Sequence, residues 1–157
     1  MASISTTTLP ELGALFVTQI LATTPRITRD SAREWKHYTR RTGAASRSRR
    51  FTLVWEPRGR FRGGYFTNSA VECVAGLAVR TDYVGKGEHI MEMINDDWLQ
   101  LRDRLGALHI PITNGLTYVA EEGRPTEYVD PGSRSTISPD AFQYDLTYEI
   151  RYQQAGG

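Results

Sequence analysis

The residues that could do chemistry are few and far apart. The histidines His37, His89 and His109 are scattered, and none sits in a recognisable metal-ligand pattern. The single thiol, Cys73, falls in the middle of an alternating apolar run, which suits a structural thiol rather than a nucleophile. No serine occupies a Gly-x-Ser-x-Gly elbow. The glycine-rich pieces at 59–64 and 85–87 lack both Gly-x-x-x-x-Gly-Lys-Ser/Thr and Gly-x-Gly-x-x-Gly, the patterns that cradle phosphates. Asp96, Asp97 and Asp103 have no partner acid at a spacing that defines a reaction, and Asp96-Asp97 reads as the solvated face of a helix. The sequence thus implies no enzyme, no metal and no cofactor.

What stands out is arginine. Arg47, Arg49 and Arg50 precede one strand; Arg58, Arg60 and Arg62 alternate after it, with Phe61, Tyr65 and Phe66 interleaved. Arginine with aromatics serves phosphate contact and base stacking. The same mixture suits a protein interface. No RNA-recognition, zinc-finger or helix-turn-helix pattern accompanies it, which argues against sequence-specific reading of nucleic acid. Charge is segregated: residues 26–64 carry a net +9 and residues 65–157 a net −7, in a chain of net +1. A basic front and an acidic back point to a polyanion, or to another copy packed head to tail.

The elements that must position these residues are led by the last stretch, Ala141 to Gln153. Phe142, Tyr144, Leu146, Tyr148, Ile150 and Tyr152 share one parity; Asp145, Glu149 and Arg151 lie on the other. That period of two predicts a central or near-central strand with one buried face. Its polar face is open to solvent or to a subunit contact. Upstream, Phe51 to Glu56 is a strand that Pro57 stops, and Val71 to Tyr83 alternates as a second. They form an antiparallel hairpin whose tip, residues 57–70, is a long Arg-rich loop. Leu116 to Glu121 is a third strand, which Thr126 to Val129 could continue.

Two helices complete the reading. Thr8-Leu9-Pro10-Glu11 is a capping-box pattern opening a helix from Leu9 to Ala22. A longer helix, Glu88 to Ala107, carries the stripe Ile90, Ile94, Leu101, Leu105 and Leu108 with Trp98 beside it. Residues 26–41 fit either a short helix with Ala32, Trp35 and Tyr38 in line or an extended edge strand. Residues 1–8 read as a mobile tail and 40–50 as an Arg-rich loop. The order α-β-β-α-β-β predicts an α+β fold: two layers, a mostly antiparallel four-stranded sheet with helices packed on one face.

The length of 157 residues suits a single domain, 1–157. One cysteine excludes an intrachain disulfide and fits intracellular synthesis. No apolar run is long enough to span a membrane, and the N-terminus lacks the pattern of a signal peptide.

Three stretches carry a resemblance to a known family. They are LPELGALFVTQILATTP with the strand RRFTLVWE, then VECVAGLAVRTDY leading into HIMEMINDDWLQLRDRLGAL, and the terminal FQYDLTYEIRYQ with its Arg-Tyr. In pattern and order, over residues 9–153, the chain resembles the tail terminator (tail completion) proteins of long-tailed bacteriophages. The resemblance implies a structural virion protein, assembled in the host cytoplasm, that forms a ring of six subunits. Such a ring caps the tail tube, ends its polymerisation and joins it to the neck or head-completion protein, with DNA passing through the lumen in transient, non-specific contact. A different neck or head-closure connector, and a cellular nucleic-acid-binding α+β module, are the alternative readings. The contact residues expected on this reading are Arg47, Arg49, Arg50, Arg58, Arg60, Phe61, Arg62, Tyr65, Phe66, Asp145, Glu149 and Arg151, with no membrane involved.

Overall fold

The computed structural model describes residues 5–27, 35–37, 49–61, 70–84, 87–111, 115–121, 128–129 and 141–155. Two helices, α1 (Leu9–Leu21) and α2 (Gly87–Gly106), pack on six strands: β1 (Trp35–His37), β2 (Arg49–Phe61), β3 (Ala70–Val84), β4 (Leu116–Glu121), β5 (Tyr128–Val129) and β6 (Ala141–Ala155). The sheet runs β1-β2-β3-β6-β4, with β5 on β6. All pairings are antiparallel except β1 with β2, which is parallel.

The α+β class and the single-sided helical layer hold. The expected four antiparallel strands become a mixed sheet of six. The extra edge strand is Trp35–His37, the extended alternative for that segment; residues 28–34 and 38–48 lie outside the described residues. Trp35 explains the choice. It is buried, with its ring edge-on to both Phe51 and Tyr83 at 6.1 and 5.9 Å. Tyr128–Val129 does continue the β4 ladder along the same edge of β6.

The terminal strand is central, as its alternation predicts, with β3 on one side and β4 and β5 on the other. Register places Val79 against Leu146, Leu77 against Tyr148, Ala75 against Ile150 and Cys73 against Tyr152, all buried. On the next strand Phe51, Leu53 and Trp55 oppose Thr81, Val79 and Leu77. These residues form one face. α1 lies on it through Phe16, edge-on to Trp55 at 6.2 Å. Met93, Ile94, Leu101 and Leu105 of α2 join the same core.

Pro57 does not end β2. The strand continues to Phe61 through a register shift between Pro57 and Gly59. Past Phe51 its outer side has no β1 partner, and proline is tolerated at sheet edges and bulges because no outward ladder bond is lost. The expected 14-residue loop therefore shrinks, because residues 57–61 and 70 belong to strands. A second irregularity in β4, between Leu116 and Tyr118, lets both Leu116 and Val119 face the core. The Thr117 hydroxyl donates to the Arg151 carbonyl there, at 3.0 Å.

The tail expected at 1–8 is anchored at its inner end. Thr7 is buried, and its N–H donates to the Gln153 carbonyl at 2.7 Å. Thr8 caps α1, accepting from the Glu11 N–H. The Glu11 carboxylate does not reach back to the cap; it accepts from the Thr7 hydroxyl at 3.4 Å. Gly115 fixes the other side of this corner. Its φ is +77°, and its carbonyl accepts from the Gln153 N–H at 2.8 Å. A Cβ added there would lie 2.9 Å from Thr6 and Thr7 backbone atoms. Gly115→Ala is expected to destabilise the fold by about 2 kcal/mol or more, since strain and a backbone clash combine. Urea denaturation with an unchanged m-value checks this.

Candidate interaction surface

The expected contact residues part company in the structure. Arg49 is a correction. It is fully buried and its Nε donates to Asp97 Oδ2 at 2.7 Å, with neither side chain exposed. It opens β2 on the parity of Phe51, Leu53 and Trp55, so its side chain enters the core. Arg50 is on the opposite parity and half-buried. Arg58, Arg60 and Phe61 lie in the second half of β2; Arg60 is in register with Cys73 and Phe61 with Glu72. Arg47, Arg62, Tyr65 and Phe66 lie outside the described residues.

Asp97 is the counterpart correction. It is buried at the centre of α2 rather than solvated. The Tyr83 hydroxyl donates to the same Oδ2 at 3.1 Å, and Arg49 Nη2 donates to the Ile27 carbonyl. Burial dominates the electrostatics. It lifts Asp97 from 3.8 to about 6 against the opposing pull of Arg49 and of the Tyr83 and Arg49 hydrogen bonds, while Asp96 adds to the rise. Burial, reinforced by Asp97, pushes the Tyr83 phenol well above its ordinary value. Asp96 is the surface member of the pair, holding Arg26 through bonds of 2.7 and 3.0 Å.

The second group of expected contacts does come together. Asp145, Glu149 and Arg151 lie half-buried on the sheet face away from the helices. Arg80 opposes Asp145 across β3 and β6, with Nε and Nη2 at 3.2 and 3.3 Å from its two oxygens. Arg151 pairs with Glu149 at 3.1 Å and lies over the Tyr118 ring, 5.0 Å from its centre. Each ion pair is partly solvated and worth at most about 1 kcal/mol, so these contacts order the surface more than they stabilise the fold. Val54 and Tyr118 are exposed on this face at 41% and 40%. The pair Ala78 and Thr147 separates the Arg80–Asp145 row from Glu149, which lies opposite Gly76.

Sequence reading missed Arg80, Val54 and Tyr118, which join the surface only through cross-strand register. A groove of about 670 Å³ between the C-terminal ends of α1 and α2, lined by Gln19, Thr23, Gln100, Asp103, Arg104 and Ile110, was equally invisible. Among the described residues, no three of His, Cys, Asp and Glu gather into a metal-binding group, and no helix is long and apolar enough to cross a membrane. No protein-family model matches the chain, and no curated protein matches it significantly.

The Arg49–Asp97 pair makes two expectations measurable by denaturation. Asp97→Ala leaves a buried, uncompensated cation and is expected to cost about 3–5 kcal/mol, whereas Arg49→Met with Asp97→Leu is expected to be neutral or stabilising. The folded-state value of Asp97 is raised, so its contribution to stability is full below 3.8 and lost as pH rises through about 6. The wild type is therefore expected to lose stability relative to that double variant between about pH 4 and about pH 6.5.

Proposed function

We propose that the chain is a structural subunit of the tail terminator type, which assembles with copies of itself into a ring. On this reading the ring, six subunits in number, caps the tail tube of a long-tailed phage. It meets the tube protein on one side and the neck or head-completion protein on the other, and DNA passes through its lumen. Its place is the virion.

One observation carries the reading: the two broad faces of the subunit differ in kind. Both helices lie on one side of the sheet. The other side presents charge rows around Val54 and Tyr118, with no described helix upon it. A head-to-tail ring joins two unlike surfaces, and a one-sided sheet supplies them. The exposed sheet area supports this too. The three long strands β2, β3 and β6, of 13, 15 and 15 residues and about 4.8 Å apart, make a face of several hundred Å², near the roughly 800 Å² per partner of an ordinary stable interface. The segregation of charge along the chain agrees with such a subunit, and Arg58, Arg60 and Arg62 remain its contact residues toward the tube.

Native mass measurement with negative-stain imaging, alone and with the tail tube protein, tests the proposal. The expected result is rings with a central hole near six times 17.7 kDa. Val54→Asp is expected to deplete them without lowering the melting temperature, and charge reversal at Arg60 and Arg62 to weaken assembly on the tube. A monomer that stays a monomer even with the tube protein contradicts the reading.

A further inference from the structure

Among the described residues, five large apolar side chains stand exposed, and they fall into two sets. Val54 and Tyr118 lie on the sheet face away from the helices. Leu21 and Leu99 belong to the helices, and Ile110, with 72% of its surface in solvent, to the chain leaving α2. This second set surrounds the groove between the C-terminal ends of α1 and α2. Ile110 lines it, Leu21 adjoins the lining residue Ala22, and Leu99 stands one helical turn before Asp103 on its rim. An apolar cluster with a polar rim marks a contact site, whereas single exposed apolar residues do not.

The groove is held in shape by its own walls. Gln100 Nε2 on α2 donates to the Thr24 carbonyl at 3.1 Å, and Asp96 holds Arg26 just beyond. The helix ends that flank it make little polar demand. The Thr18, Gln19 and Ile20 carbonyls of α1 accept from the Ala22 N–H, the Thr23 hydroxyl and the Thr23 N–H. The Leu105 and Ala107 carbonyls accept from the Leu108 and Ile110 N–H groups. Asp103 and Arg104 put one charge of each sign on the rim. A balanced groove of this kind suits apolar side chains with a mixed polar surround, and offers little to a polyanion.

We propose that this groove is the second face of the ring contact: it receives the sheet face of the next copy, with Val54 seated among Leu21, Leu99 and Ile110. The inference rests on the ring reading and names the two surfaces that meet. Three features select a second copy as the occupant. In charge, the sheet face with its Arg80–Asp145 and Arg151–Glu149 pairs is balanced, as is the groove rim, so neither repels the other. In position, the two sets approach each other only at the β4 edge, where the His109 ring lies 6.4 Å from Tyr118. Val54 is on β2, three strands away from β4, so a chain cannot seat it in its own groove. In closure, sets that each met their like would need two separate twofold contacts. Joined head to tail, one repeated contact covers both sets and leaves no open end once the ring closes.

Thiol crosslinking of the full chain with a short bismaleimide, under the conditions in which the wild type forms rings alone or on the tail tube protein, tests the contact. Val54→Cys with Ile110→Cys in one chain is expected to give a ladder of crosslinked multimers. Each single variant, like the wild type with its buried Cys73, is expected to give only monomers. Ile110→Asp is expected to raise the concentration for half assembly about tenfold or more at an unchanged melting temperature. Crosslinked dimers from either single variant show like meeting like and overturn the proposal. So does Ile110→Asp that still forms rings but no longer binds the tube protein, since the groove then belongs to the tube. Wild-type rings without a ladder from the double variant overturn the groove contact and leave the ring reading standing. A wild type that stays monomeric even on the tube protein overturns both.

Discussion

The ion pair between Arg49 and Asp97 ties the two layers of this fold together. Neither partner is exposed, so each is tolerable only in the presence of the other. Arg49 fixes the start of the 13-residue β2 against the middle of α2, and through register fixes β1 beside it. Tyr83 brings β3 to the same carboxylate. The Ile27 carbonyl ties in the chain that leaves α1. Apolar burial supplies the bulk of the stabilisation across the rest of the sheet, from Phe16 on Trp55 to Val119 beside Ile150. It does not by itself choose which way β2 slides or where α2 lies along the sheet. A directional, buried pair does.

That arrangement changes the meaning of the basic front half. Part of its charge is structural. Arg49 is turned into the core and Arg26 is paired with Asp96 at the surface, so the positive potential available to a partner comes from fewer residues than the composition suggests. The opposite sheet face, where Arg80, Asp145, Glu149 and Arg151 pair among themselves, is close to balanced and carries exposed apolar groups. A balanced face with Val54 and Tyr118 fits a protein neighbour better than a polyanion, and this is why the ring reading stands ahead of a nucleic-acid module.

The sequence made the regular elements legible wherever one periodicity ran long. β6 is set by its alternation and α1 by Thr8 and its apolar stripe. What it hid depended on contacts between distant strands. Pro57 looked like an end because nothing local shows that, among the described residues, β2 has no outer partner beyond Phe51. Trp35 looked helical or extended with equal ease until Phe51 and Tyr83 gave it a place. The buried pair did leave a trace. Asp97 falls at the helical spacing between Ile94 and Leu101, and Arg49 on the strand parity of Phe51. Two opposite charges at core positions are mutually explanatory, but only once β2 and α2 are known to meet. The sheet face away from the helices left no comparable trace, because Val54, Arg80 and Tyr118 come from three strands.

A double-mutant cycle on Arg49 and Asp97, using Arg49→Met and Asp97→Leu singly and together at pH 7, tests most directly whether this pair organises the fold. Unfolding free energies that couple by about 2 kcal/mol or more are the predicted result. A coupling below about 0.5 kcal/mol, the level of independent sites, would contradict it.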